Sequence, residues 1–234
     1  MPAEGGYPFD LEALRGAPRI PFDRPVTYLV GENGSGKSTL LEAIAIAAGF
    51  NPEGGSRGNM FSSAETESAL HEYLRLSWFP KATRGFFFRA ESFFNFASHI
   101  DEVERECSTG YAAYGGTSLH QRSHGESFLA LFLHRLKGTK PGLYLLDEPE
   151  AALSPTRQLA LLRILWDHAQ RGTSQFIVAT HSPILLGYPG ARILSFDSSP
   201  LAPIAYEDTQ AYSLTRQFLL HREGMLKELL AKDD

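Results

Sequence analysis

Gly31-Glu32-Asn33-Gly34-Ser35-Gly36-Lys37-Ser38 sets three glycines ahead of an ammonium and a hydroxyl, and the apolar run Val26-Thr-Tyr-Leu-Val30 leads into it. A loop that wraps a polyphosphate must turn its backbone N–H groups inward, which glycine permits by adopting φ > 0 and allowing close approach. Lys37 would reach the β- and γ-phosphates, and Ser38 would offer its hydroxyl to Mg²⁺. The following segment, Ser38 to Ala48, is rich in helix formers and closes at Gly49. The phosphates would therefore sit at a helix N-terminus, with Thr39 just inside it.

Three further groupings could complete the chemistry. Gly142-Leu-Tyr-Leu-Leu-Asp147-Glu148-Pro149 is an apolar strand ending in adjacent carboxylates. Asp147 would support Mg²⁺ beside Ser38, while Glu148 would act as base toward a water attacking the γ-phosphate. Ser123-His-Gly125-Glu126 precedes an apolar helix with capping-box spacing, Ser123 to Glu126. The same tip offers a hydroxyl, free N–H groups and Gly125 to another γ-phosphate, and the two roles are compatible. The strand Gln175-Phe-Ile-Val-Ala179 runs into Thr180-His181-Ser182-Pro183, and a histidine there can orient water or contact phosphate.

The elements that must position these groups follow from patterning. Strand-like and helix-like segments alternate over residues 26–50 and 126–197, which predicts a largely parallel sheet flanked by helices. Between them, residues 51–125 read as an inserted helical and β lobe. Loop composition marks 51–58, helix-compatible residues 63–75, a buried strand 85–90, and a polar helical stretch lies near 100–107. Phe86, Phe87, Phe88, Phe93, Phe94 and Phe96, with Trp78 and Phe79, either form a dry core or present an aromatic surface near Lys81, Arg84 and Arg89. Residues 208–230 suggest two helices broken near Arg222 and Gly224.

With 234 residues and an apolar share of 43%, the chain suits one α/β domain spanning 1–234. A net charge of −5 gives no overall basic field for nucleic acid. The single cysteine, Cys107, excludes intrachain disulfides and points to a reducing, cytoplasmic setting. No run is apolar and long enough to span a bilayer, and the first residues lack the features of a signal peptide, so direct membrane insertion is not expected.

Taken in order, GENGSGKST, SHGES, LYLLDEPEAALSP and ATHSP resemble the phosphate loop, signature motif, Walker B segment with D-loop, and switch histidine of ABC-type ATPases. Within that superfamily the chain resembles soluble SMC-, RecF- and OLD-like ATPases. His124 stands at the signature's first glycine, and Ser154 replaces the D-loop aspartate. The resemblance implies a P-loop NTPase fold with a small N-terminal β region, ATP and Mg²⁺ as ligands, and ATPase activity. It also implies an ATP-dependent head-to-tail homodimer, each ATP held by one subunit's Gly31–Ser38 loop and the other's Ser123–Glu126 tip. Glu91 is the nearest stand-in for the family's Q-loop glutamine, a metal or water contact. Tyr7, Phe9 or Phe22 could stack on adenine. DNA maintenance or defence with a DNA or protein effector fits this group, and an ATP-binding subunit of an ABC transporter is the alternative. The insert is too short for an SMC-like coiled-coil arm.

Overall fold

The computed structural model describes residues 6–15, 19–57, 69–135 and 140–231. Their strands are β1 (Val26–Val30), β2 (Arg84–Arg89), β3 (Gly142–Asp147), β4 (Ser174–Ala179), β5 (Arg192–Ser195) and β6 (Ala202–Pro203). They build one sheet in the order β2-β3-β4-β1-β5-β6, parallel throughout except for the short β5–β6 pairing. The α-helices are α1 (Lys37–Ala47), α2 (Phe93–Cys107), α3 (His124–Arg135), α4 (Pro155–Ala169), α5 (Pro183–Leu186) and α6 (Gln210–Leu229).

The central strands read as unbroken apolar runs because both faces of the sheet are covered. Successive side chains alternate between two cores. Tyr28, Phe86, Phe88, Tyr144, Leu146, Phe176 and Val178 face α2, α3 and α4, whereas Leu29, Phe87, Leu143, Leu145, Ile177 and Ala179 face α1. This is the α/β P-loop arrangement that the sequence predicts.

The N-terminal segment differs from expectation. No strand precedes β1 among the described residues, so the expected small N-terminal β region is replaced by turns. The N–H groups of Phe9, Leu14 and Arg15 are used locally, on the carbonyls of Gly6 and Leu11, and Pro21 and Pro25 have none to give a ladder.

Within residues 51–125, β2 pairs with β3 along the edge of the main sheet. A 3-10 turn, Ala69–Tyr73, covers part of the helix expected over 63–75, while residues 63–68 lie outside the described residues. Helix α2 begins earlier than the expected polar stretch, because Phe93, Phe96, Ala97 and Ile100 recur on one face and bury it. Most of the phenylalanine cluster is therefore core: Phe86, Phe87, Phe88, Phe93 and Phe96 are buried, and only Phe79 and Phe94 of that group are exposed. Helix α6 carries the expected break, with non-helical angles at His221 (φ −129°, ψ 31°).

Phe88 meets the rings of Phe93, Phe128 and Phe132 at 5.7, 4.7 and 5.1 Å between centroids. Phe88→Ala should therefore cost about 3–5 kcal/mol in urea unfolding. The exposed Phe79→Ala should change stability by less than about 0.5 kcal/mol. Equal effects would refute the assignment of this cluster to the core.

Candidate functional site

Strand register gathers three of the sequence-predicted groups at the carboxyl ends of the strands. Leu29 pairs with Ala179, and Ala179 pairs with Asp147. The loop after β1, the Thr180-His181 segment after β4 and Asp147-Glu148 at the end of β3 thus lie at neighbouring carboxyl ends, where α/β sheets bind ligands. The loop turns through Gly31, Gly34 and Gly36 at φ 146°, 79° and 102°. Glu32, Asn33 and Gly34 form its exposed apex, and Gly36 opens α1.

Lys37 is buried at the centre of this loop. Its Nζ donates to the carbonyls of Gly31 (2.7 Å) and Glu32 (2.8 Å) and lies 3.4 Å from the Ser35 hydroxyl. Burial lowers its pKa, opposed by the nearby acids Glu148, Asp197, Asp147 and Glu32. Asp197, beyond β5, also accepts the Glu32 N–H at 2.8 Å. Sequence reading missed this brace. The Tyr7 hydroxyl bonds Thr39 Oγ1, Phe9 packs edge-to-face on Tyr73, and Phe22 lies against the α1-side core. Of the three aromatic candidates, Tyr7 is thereby tied directly to the first turn of α1.

Ser38 Oγ donates to Asp147 Oδ1 at 3.0 Å. Asp147 is buried, and desolvation raises its pKa to about 6 despite the attraction of Arg89 and the Ser38 hydrogen bond. These are hard oxygen donors, and the carboxylate is short of compensating positive charge, so the pair fits Mg²⁺. No group of three or more His, Cys, Asp or Glu among the described residues could hold a metal. Mg²⁺ takes one or two protein oxygens and fills its shell with water and phosphate.

Arg89 was a candidate surface cation, but the structure packs it inward with 18% side-chain exposure. It stands 2.9 Å from Glu42, 3.5 Å from Glu91 and 3.9 Å from Asp147. Glu91 is exposed and joins Asp147 only through this shared guanidinium. Glu148 adopts φ 48°, a left-handed conformation that is rare for non-glycine residues and concentrates at functional sites. Its N–H still bonds the Ala179 carbonyl at 3.0 Å while its side chain is exposed.

His181 shares a small crevice with Gly31 and Asp197. Its backbone N–H donates to Glu150 Oε1 at 2.7 Å, so a third carboxylate of the Asp-Glu-Pro-Glu run fixes the histidine's segment. The Ser123 tip is built separately. Glu126 Oε2 accepts from the Ser123 hydroxyl (2.6 Å) and N–H (3.1 Å), as the capping-box spacing predicts. These bonds, then the charges of Arg157 and Arg122, hold the Glu126 carboxyl below its usual range. Arg157, which sequence reading also missed, lies 3.4 Å from Ser123 Oγ and 3.5 Å from Glu126. Gly125 packs directly against its guanidinium. Among the described residues, no hydrogen bond joins the tip's Ser123, Gly125 or Glu126 to the 31–39 loop. Ser154 caps α4 by accepting the Arg157 N–H at 3.4 Å.

Comparison with known proteins gives partial matches. Residues 113–187 match a family model described as "AAA domain, putative AbiEii toxin, Type IV TA system", and residues 12–101 match one described as an AAA domain. The tungstate uptake system ATP-binding protein TupC of Peptoclostridium acidaminophilum is 25% identical over 67% of this chain and 74% of its own length. The hemin import ATP-binding protein HmuV of Pseudomonas aeruginosa is 31% identical over 64% of this chain and 64% of its own length. Among solved structures, the SMC head domain from Thermotoga maritima aligns with 80% of this chain and 92% of its own, at 19% identity and TM-score 0.42. The cbiO1 protein of Clostridium perfringens, part of the ABC transporter complex cbiONQ, aligns with 87% of each chain at 16% identity and TM-score 0.41.

The burial of Asp147 has a pH signature. Its folded-state pKa is raised from 3.8 to about 6, so its ionisation weakens the fold as pH climbs through that window. The penalty is absent below the lower value and complete above the upper one, amounting to about 3 kcal/mol. Without divalent cation, Asp147→Asn should gain stability relative to the parent by about 2–3 kcal/mol between pH 4 and 6.5 in denaturant titrations. A pH-independent difference would refute this account.

Proposed function

We propose that this chain, an ABC-type, SMC-like P-loop ATPase, hydrolyses Mg·ATP as a head-to-tail homodimer that works as a nucleotide switch. The observation that carries this reading is the Ser38–Asp147 bond of 3.0 Å beside a buried Lys37 and a left-handed Glu148.

In the reaction, Lys37 exchanges its loop carbonyls for β- and γ-phosphate oxygens, and the loop N–H groups with the α1 N-terminus take up negative charge. Ser38 and Asp147 would hold Mg²⁺, which would neutralise charge on the transferring phosphoryl group. Glu148 accepts a proton from the water whose oxygen bonds the γ-phosphorus as the bond to the bridging oxygen of ADP breaks. His181 steadies the γ-phosphate, and the partner copy's tip contacts it from the opposite side. Loss of that phosphate removes the shared anion and releases the pair. Tyr7, whose hydroxyl bonds Thr39, would be the aromatic candidate nearest the start of α1 for stacking on adenine.

A cytoplasmic switch in DNA maintenance or defence, acting on a DNA or protein effector, fits the Arg-Ser-His-Gly-Glu tip and the use of Ser154 as a helix cap. The names of the two curated relatives favour a second reading, an ATP-binding subunit of an ABC transporter. No helix among the described residues is long and apolar enough to cross a membrane, so that reading requires membrane-spanning segments beyond these residues.

Glu148→Gln should lower single-turnover hydrolysis of bound ATP by roughly 100-fold or more. In sedimentation the same variant should be a dimer with Mg·ATP and a monomer without nucleotide. Hydrolysis at the parent rate would remove Glu148 as the base, and a monomer at high Mg·ATP and protein concentration would remove the sandwich.

A further inference from the structure

Arg157 is in an unfavourable place for an ordinary surface cation. It follows Ser154, Pro155 and Thr156 in the first turn of α4, where the helix macrodipole disfavours positive charge. Its guanidinium is instead turned onto the start of α3. One amino group reaches Ser123 Oγ at 3.4 Å, and the other lies 3.5 Å from Glu126 Oε1. The Ser123 hydroxyl therefore donates to Glu126 while its oxygen faces Arg157, which leaves it little rotational freedom.

Gly125 makes this arrangement possible. A Cβ there would meet Arg157 Nη1 at 2.2 Å and the Ala152 carbonyl oxygen at 2.9 Å, although Gly125 itself lies in ordinary helix. The glycine is needed as space for the arginine. Meanwhile, an uncompensated Glu126 carboxylate at an exposed tip would repel any phosphate brought toward Ser123.

We propose that Arg157 is a positioning residue for the Ser123 tip: it cancels the charge of Glu126 and fixes the Ser123 hydroxyl so that the tip can receive an anion held by a second copy of the chain. This rests on the reading of Ser123 as a trans contact to ATP. Arg157 acts through Glu126 and Ser123 and needs no phosphate contact of its own.

The test uses the Glu148→Gln protein and measures its Mg·ATP-dependent dimer by sedimentation equilibrium. Adding Arg157→Ala should weaken the dimer roughly tenfold. Mg·ATP binding to the monomer's Gly31–Ser38 loop should be unchanged. Adding Glu126→Gln to Arg157→Ala should then restore dimer affinity to within about threefold, because glutamine keeps an acceptor for Ser123 but removes the repelling charge. Arg157→Gln, which preserves much of the packed stem, should give the same loss and the same rescue if the alanine variant fails to fold. Undiminished dimerisation without Arg157, or failure of Glu126→Gln to rescue, overturns the assignment. If Ser123→Ala also leaves the dimer at full strength, the trans-contact reading falls with it. A loss with Ser123→Ala but none with Arg157→Ala overturns the arginine's role alone.

Discussion

The site is organised around a negative charge that the fold buries before any ligand arrives. Asp147 ends β3 between the ends of β2 and β4, and its neighbours leave it short of positive charge. Arg89 cannot fully answer it, because the same guanidinium is drawn closer to Glu42 on α1 and is shared with Glu91. Burial of a carboxylate with incomplete compensation is unfavourable in itself. On the proposed function, a divalent cation held by Asp147 and Ser38 would convert that liability into affinity and link the end of β3 to the loop after β1.

The covered parallel sheet is what makes such burial tolerable. Its strands hold Asp147 rigidly from both sides, while alternating aromatic and aliphatic side chains lock β3 against α1 on one face and α2 through α4 on the other. The aromatic contacts of Phe88 belong to this frame rather than to a recognition surface. Glu148 shows the complementary device. Its backbone stays in register with Ala179 while a left-handed turn redirects the side chain, so one dipeptide presents an inward carboxylate and an outward one.

Local features were legible in the sequence because they are written in consecutive residues. The glycines and Lys37 announce the loop, the unbroken apolar runs announce buried strands, and the Ser123–Glu126 spacing announces its own capping bond. Contacts made across the fold were not legible. Asp197 braces Glu32 from the far end of β5, Glu150 holds His181 across the strand-end edge, and Arg157 reaches α3 from α4. Each of these has a weak local trace at most: an acid after a strand, a third acid after Asp147-Glu148, and a cation at the wrong end of a helix. The N-terminal segment misled for a related reason. The resemblance implies a β region there, but its prolines and local turn bonds leave few donors for a ladder.

The contacts of Glu150 and Arg157, with a third from Gln158, share one short segment, residues 150–158. Glu150 holds the His181 backbone, Gln158 accepts the Ser182 hydroxyl, and Arg157 holds the Ser123 tip. His181 and the Ser123 tip are therefore held by the same stretch of chain, at the turn and first helical residues after β3. In a head-to-tail pair these two groups would face different nucleotides, one bound by the chain's own loop and one by its partner's. A displacement of the segment by either nucleotide would be felt at the other, and linkage requires any such effect on binding to be reciprocal. Stiff side-chain contacts, rather than a flexible hinge, are what this geometry offers for carrying that coupling.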